Sequence, residues 1–101
     1  MLDFDRIRDE VLELLGPYGV RRIAVFGSVA RGEEEEGSDI DILVTFERPL
    51  RKPLGFRLAG IEQELGERLG RRVDLISEEA LSPYIRPYVE EEEVVLYEEA
   101  S

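Results

Sequence analysis

Asp39 and Asp41 stand two residues apart in the run Ser38-Asp39-Ile40-Asp41-Ile42-Leu43-Val44. Side chains on a strand repeat every second residue, so both carboxylates would share one face, about 7 Å apart along the backbone. Carboxylates that close raise each other's cost of ionisation, and a cation between them relieves it. An isolated Asp-x-Asp also fits a solvent-facing stripe on an edge strand, because Ile40, Ile42 and Val44 take the opposite face. Asp74 interrupts the apolar run Val73-Asp74-Leu75-Ile76, where a lone buried carboxylate is costly unless paired. A salt bridge to Arg71 or Arg72 is the plain alternative. Gly27-Ser28 ends a third apolar run, where backbone N–H groups and the Ser28 hydroxyl can face an anion. Gly27 has no Cβ to hold a phosphate off, although an ordinary tight turn reads the same way. Eighteen of the 24 acidic residues are Glu and six are Asp, yet all three carboxylates in these places are Asp. A short, stiff arm suits the strict geometry of magnesium.

Composition narrows the chemistry further. With no histidine and no cysteine, the chain lacks a Ser-His-Asp triad, imidazole or thiolate zinc sites and a disulfide framework. What remains is carboxylate chemistry with hard ions such as magnesium or manganese. A formal charge of −11 opposes direct nucleic-acid binding, which needs clustered Lys and Arg. No apolar run reaches membrane-spanning length, and Met1-Leu2-Asp3 opens into acidic sequence. Neither a membrane nor a leader peptide is therefore expected, and a cytoplasmic location is. Abundant Glu and Arg, with no Asn and with Lys52 as the single lysine, resemble a thermophile's usage.

The elements that must carry these residues follow from periodicity. Phe4, Ile7, Val11, Leu14 and Leu15 give an amphipathic helix over 4–15, with Asp3 as N-cap and Gly16-Pro17 as its end. Residues 23–26 read as a buried strand, 29–32 as one helical turn, 33–37 as a solvated loop and 40–46 as a second strand. Leu54, Leu58, Ile61, Leu65 and Leu69 predict a long helix ending at Gly70. Residues 73–76 give a third strand. Ser82-Pro83 reads as the start of a helix that Pro87 breaks or kinks, and 94–97 as a last edge strand. The expectation is a single α/β domain over residues 1–101, with helices packed on one mixed sheet.

These motifs, in this order, resemble the minimal nucleotidyltransferases of the DNA polymerase β superfamily. The likeness rests on Gly27-Ser28-Val29-Ala30-Arg31-Gly32, then the Asp39-x-Asp41 strand, then Asp74 within its own strand, and spans nearly the whole chain. It implies the nucleotidyltransferase fold and ATP as substrate. It also implies that Asp39 and Asp41 hold two magnesium ions on the triphosphate. Asp74 would help hold the catalytic ion and assist deprotonation of the attacking hydroxyl. Gly27 and Ser28 would grip the phosphates, with Arg31 and Gly32 shaping that loop. Two ions about 4 Å apart can bind the attacking and leaving oxygens of an in-line displacement.

Larger members carry an extra domain for the acceptor, for which 101 residues leave no room, so a partner is expected to supply it. By the same resemblance that partner is a HEPN-type ribonuclease toxin, inactivated by AMP transferred from ATP to a tyrosine. A binding-only antitoxin with a vestigial metal site, and an enzyme acting on a small-molecule hydroxyl, are the alternatives. The Glu runs at 33–36 and 90–93 read as solvated surface. Tyr84 and Tyr88, four apart, read as a core or interface stripe. Arg21, Arg22, Arg71 and Arg72 read as charges at strand starts.

Overall fold

The computed structural model describes residues 3–32 and 39–99; the acidic loop expected at 33–37 and Ser38 lie outside them. The first helix, α1 (Phe4–Leu15), begins where Asp3 accepts hydrogen bonds from the N–H groups of Asp5, at 2.9 Å, and Arg6, at 3.4 Å. Ile7, Val11 and Leu15, on one face of the helix, are fully buried. A short 3₁₀ turn (Gly16–Tyr18) follows, and Gly19 at φ 90° passes the chain into β1 (Val20–Phe26). This strand is longer than the apolar run alone predicts, so Arg21 and Arg22 lie within it and not ahead of it.

Helix α2 (Gly27–Ala30) follows β1 directly and starts two residues earlier than expected. Strand β2 (Ile40–Phe46) then pairs antiparallel with β1. Helix α3 (Arg57–Leu69) crosses over to β3 (Val73–Ser77), which runs parallel to β2. A parallel pair cannot be closed by a hairpin, and α3 supplies the crossover. The helix starts at Arg57 and not at Leu54, because Pro53 and Gly55, at φ 56°, hold the preceding backbone out of helical geometry. Gly70 ends it in the left-handed conformation, as its position predicts.

The remaining elements are a 3₁₀ turn (Glu78–Ala80), α4 (Arg86–Glu92) and β4 (Val94–Glu98). The sequence places the start of the last helix too early. The Ser82 hydroxyl accepts the Tyr84 N–H at 3.2 Å in a local turn. Pro87 then falls in the first turn of α4, where its missing N–H costs nothing. The sheet order is β3-β2-β1-β4, with β4 antiparallel to β1 at one edge. The mixed α/β sheet is as expected, but the Asp-x-Asp strand is central and not an edge.

Both faces of the sheet are covered. Ile40, Ile42 and Val44 of β2 pack with Ile23 and Val25 of β1 against Ile7, Val11 and Leu15 of α1 and Leu65 of α3. Leu43, on the other face of β2, packs with Leu81 and Val89. Arg68 of α3 ties the helices together by pairing with Glu10 and Glu13 of α1, each at 2.9 Å. Among the described residues no helix is long and apolar enough to cross a membrane.

Candidate active site

Register decides which acidic residues meet. Asp41 is the cross-strand neighbour of Phe26 on one side and of Asp74 on the other. The last residue of β1, Asp41 and Asp74 therefore form a row across three strands. Burial pushes the Asp41 carboxyl up from its ordinary 3.8 to about 6, helped by the charge of Asp74 and a hydrogen bond shared with it. The charges of Asp39 and Glu92 act in the same direction. Asp41 and Asp74 are thus the close pair, and Asp39, just ahead of β2, reaches Asp41 through its charge. Asp74 faces Asp41 across the parallel pair and shares a hydrogen bond with it.

Gly27 opens α2 over this pair. Its backbone stands at φ 75°, and a Cβ there would overlap the Asp41 carboxylate oxygen. Only glycine lets the turn lie against Asp41 in this way. Ser28 follows, half-buried. Among the described residues no three acidic side chains already stand at ligand distance from a common point. The donor set is nonetheless all oxygen and all carboxylate, and Asp41 carries like-charge repulsion that a divalent ion would relieve. That combination fits magnesium or manganese, with Asp39, Asp41 and Asp74 as the residues that would hold the ion.

One residue at the site escapes the sequence reading. Glu92, the last residue of α4, accepts the Gly27 N–H on Oε1 at 3.0 Å and pairs through Oε2 with Arg31 Nη1 at 2.8 Å. These bonds, the Gly27 N–H first and then Arg31, hold the Glu92 carboxyl below its usual range. The run at 90–93 is therefore not uniformly solvated. Glu90 and Glu91 are exposed, whereas Glu93 has a side chain only 9% exposed and pairs with Arg22. A signal did exist, because Val89 and Glu92 are three apart on α4 and share its inward face.

Arg22, Tyr84 and Tyr88 are otherwise placed. Arg22 is bound to Glu93 and, at 3.1 Å, to its cross-strand neighbour Glu98. Tyr84 and Tyr88 are 86% and 71% exposed, which excludes a core role for either. A cleft of about 670 Å³ lies between the sheet and α4, lined by Arg22, Leu43, Thr45, Glu78, Arg86 and Glu93 among others. None of Asp39, Asp41 and Asp74 lines it.

Comparison with known proteins places this geometry in context. Residues 4–96 match the family described as nucleotidyltransferase domain. The protein adenylyltransferase MntA of Thermococcus cleftensis is 46% identical over 69 residues, which cover 68% of this chain and 67% of that protein. A solved structure described provisionally as a minimal nucleotidyltransferase is 41% identical, with a TM-score of 0.69 over 92% of this chain and 95% of that one. Two toxin–antitoxin complexes share the fold at lower identity. One, solved with AMP-PNP, has a TM-score of 0.75 at 24% identity and covers 90% of this chain and 73% of that one. The other holds a tri-AMPylated HEPN toxin of Shewanella oneidensis with its MNT antitoxin; its TM-score is 0.69 at 21% identity, over 96% and 74% of the two chains.

Proposed function

The chain belongs to the nucleotidyltransferase domain family, and from that premise we propose that it transfers AMP from ATP to a tyrosine hydroxyl of a HEPN-type toxin and so serves as the toxin's antitoxin. The observation that carries this reading is the pairing of Asp41 with Asp74 across the parallel strands, with Gly27 lying against Asp41 and Asp39 in electrostatic reach. The relatives support the choice of reaction and partner. One is named a protein adenylyltransferase, and similarly folded antitoxins stand in complexes with an ATP analogue or with an AMPylated HEPN toxin.

In the proposed reaction the acceptor oxygen forms a bond to the α-phosphorus of ATP. The bond from that phosphorus to the pyrophosphate oxygen breaks, and the hydroxyl proton passes to a carboxylate, which we assign to Asp74. Asp39 and Asp41, with Asp74, would hold two magnesium ions, which when bound neutralise phosphate charge and favour the ionised acceptor. Gly27 and Ser28 would receive the phosphates, with Arg31 adding positive charge. Positioning and electrostatics then supply most of the rate enhancement.

Incubation with magnesium, radiolabelled ATP and the product of the neighbouring gene tests this reading. Label should appear on that protein as one or more AMP units, with loss of its ribonuclease activity. Asp39→Ala, Asp41→Ala and Asp74→Ala should each abolish transfer. If no label moves and the toxin is inhibited equally by all three variants, the domain neutralises by binding alone.

A further inference from the structure

Glu92 stands where the proposed reaction needs an anion of another kind. Its two oxygens take the Gly27 N–H at 3.0 Å and the Arg31 guanidinium at 2.8 Å. Those are two of the groups to which the site reading assigns the donor's phosphates. The carboxylate is also close enough for its charge to act on Asp41. It is carried by the last residue of a seven-residue helix that is anchored to the sheet through Val89. A backbone N–H has one proton to give, so a carboxylate and a phosphate oxygen cannot both hold that of Gly27, and they compete for the positive charge of Arg31.

Resting on the nucleotide reading above, we propose that Glu92 is a built-in stand-in for phosphate, which ATP must displace from Gly27 and Arg31 in order to bind. In the free protein the side chain satisfies the Gly27 N–H and pairs with Arg31 beside the carboxylate pair. With nucleotide bound, the Glu92 side chain is expelled, and the end of α4 loosens with it. Nucleotide affinity is thereby lowered by the cost of breaking two charge-assisted contacts. The occupancy of the site becomes coupled to the position of α4, whose outer face carries the exposed Tyr88.

Titration calorimetry on the isolated chain tests the proposal, with AMP-PNP plus magnesium, inorganic tripolyphosphate and adenosine as ligands. Glu92→Gln keeps the side chain's size and removes its charge. It should tighten AMP-PNP and tripolyphosphate on the order of tenfold, the scale of one hydrogen bond to a charged group. Adenosine, which has no phosphate, should be unaffected. Glu91→Gln makes the same change of charge one residue away on an exposed position, and should change affinity less than about twofold, as expected of a screened surface charge.

Unchanged or weaker phosphate binding by a folded Glu92→Gln, or equal tightening by Glu91→Gln, would overturn the proposal while leaving the nucleotide site intact. Failure of the wild type to bind AMP-PNP or tripolyphosphate would remove the nucleotide reading and this inference together. Hydrogen exchange on the wild type gives an answer independent of any variant. Saturating AMP-PNP with magnesium should lower the protection of the α4 amides and leave α3 unchanged; unchanged or increased protection in α4 contradicts the displacement.

Discussion

Asp41 sits in a conflict between folding and charge. In the unfolded chain it ionises near 3.8, but burial, followed by Asp74, Asp39 and Glu92, moves it to about 6 in the fold. The folded state therefore prefers the protonated carboxyl. The stability this preference contributes is fully present below about pH 4 and is lost as pH rises through about 6. Because the side chain is only half-buried, solvent screening reduces the effect to on the order of 1 kcal/mol. Asp41→Asn should stabilise the metal-free protein by about that amount near pH 7 and change little near pH 4. Melting curves of both proteins across this range measure it. Magnesium with nucleotide should raise the wild-type melting temperature more at about pH 7 than at about pH 5, since protons and cations compete for one carboxylate. Asp41→Asn should lose most of that ligand-induced shift; equal shifts in the two proteins would count against Asp41 as a metal ligand.

At the scale of elements, β3 has to hold Asp74 opposite Asp41 although it lies at the edge of the sheet. An edge strand exposes backbone donors that nothing in the ladder satisfies. Here α3 supplies the acceptor, with Glu62 Oε2 taking the Leu75 N–H at 2.8 Å, one residue beyond Asp74. Glu62→Ala should destabilise the fold by about 1 kcal/mol and speed exchange of the Leu75 amide, while Glu62→Gln retains an acceptor and should do neither. Transfer should fall in the Ala variant without vanishing, because Asp74 is loosened and not removed. Which elements the sequence reveals follows from whether their signals are local. Asp3 and Gly70 mark helix ends correctly because capping is decided within a few residues. Asp39, Asp41 and Asp74 are legible as an ordered set of motifs, but the parallel pairing that brings Asp41 against Asp74 is a long-range choice. Ser82-Pro83 misleads because a hydroxyl-capped turn and a helix start use the same residues. Glu92 hides in a run of four identical side chains, and only the inward register of α4 separates it from Glu91.

Over the whole molecule the decisive quantity is the balance of charge, and its distribution sharpens what the net value implies. The formal charge is −11, and several of the arginines that might still form a basic patch are engaged by carboxylates of the same chain. Arg68 is held by Glu10, Glu13 and Glu64, Arg22 by Glu93 and Glu98, and Arg86 by Glu78. Arg51 is held by Glu47, and Arg31 by Glu92. Each of these would have to leave its partner before it could neutralise a phosphate of DNA or RNA, so the counterion release that drives such binding has little to draw on. The prediction is that the isolated chain does not bind a generic single- or double-stranded oligonucleotide below micromolar concentration at physiological salt. Fluorescence anisotropy with labelled DNA and RNA, repeated over a range of salt, measures it. Lowering the salt should not rescue binding, because with a net negative protein weaker screening increases repulsion from the polyanion. Sub-micromolar affinity that strengthens steeply as salt falls would mean that a basic surface assembles on binding, and a template-reading, polymerase-like role would replace transfer to a protein hydroxyl.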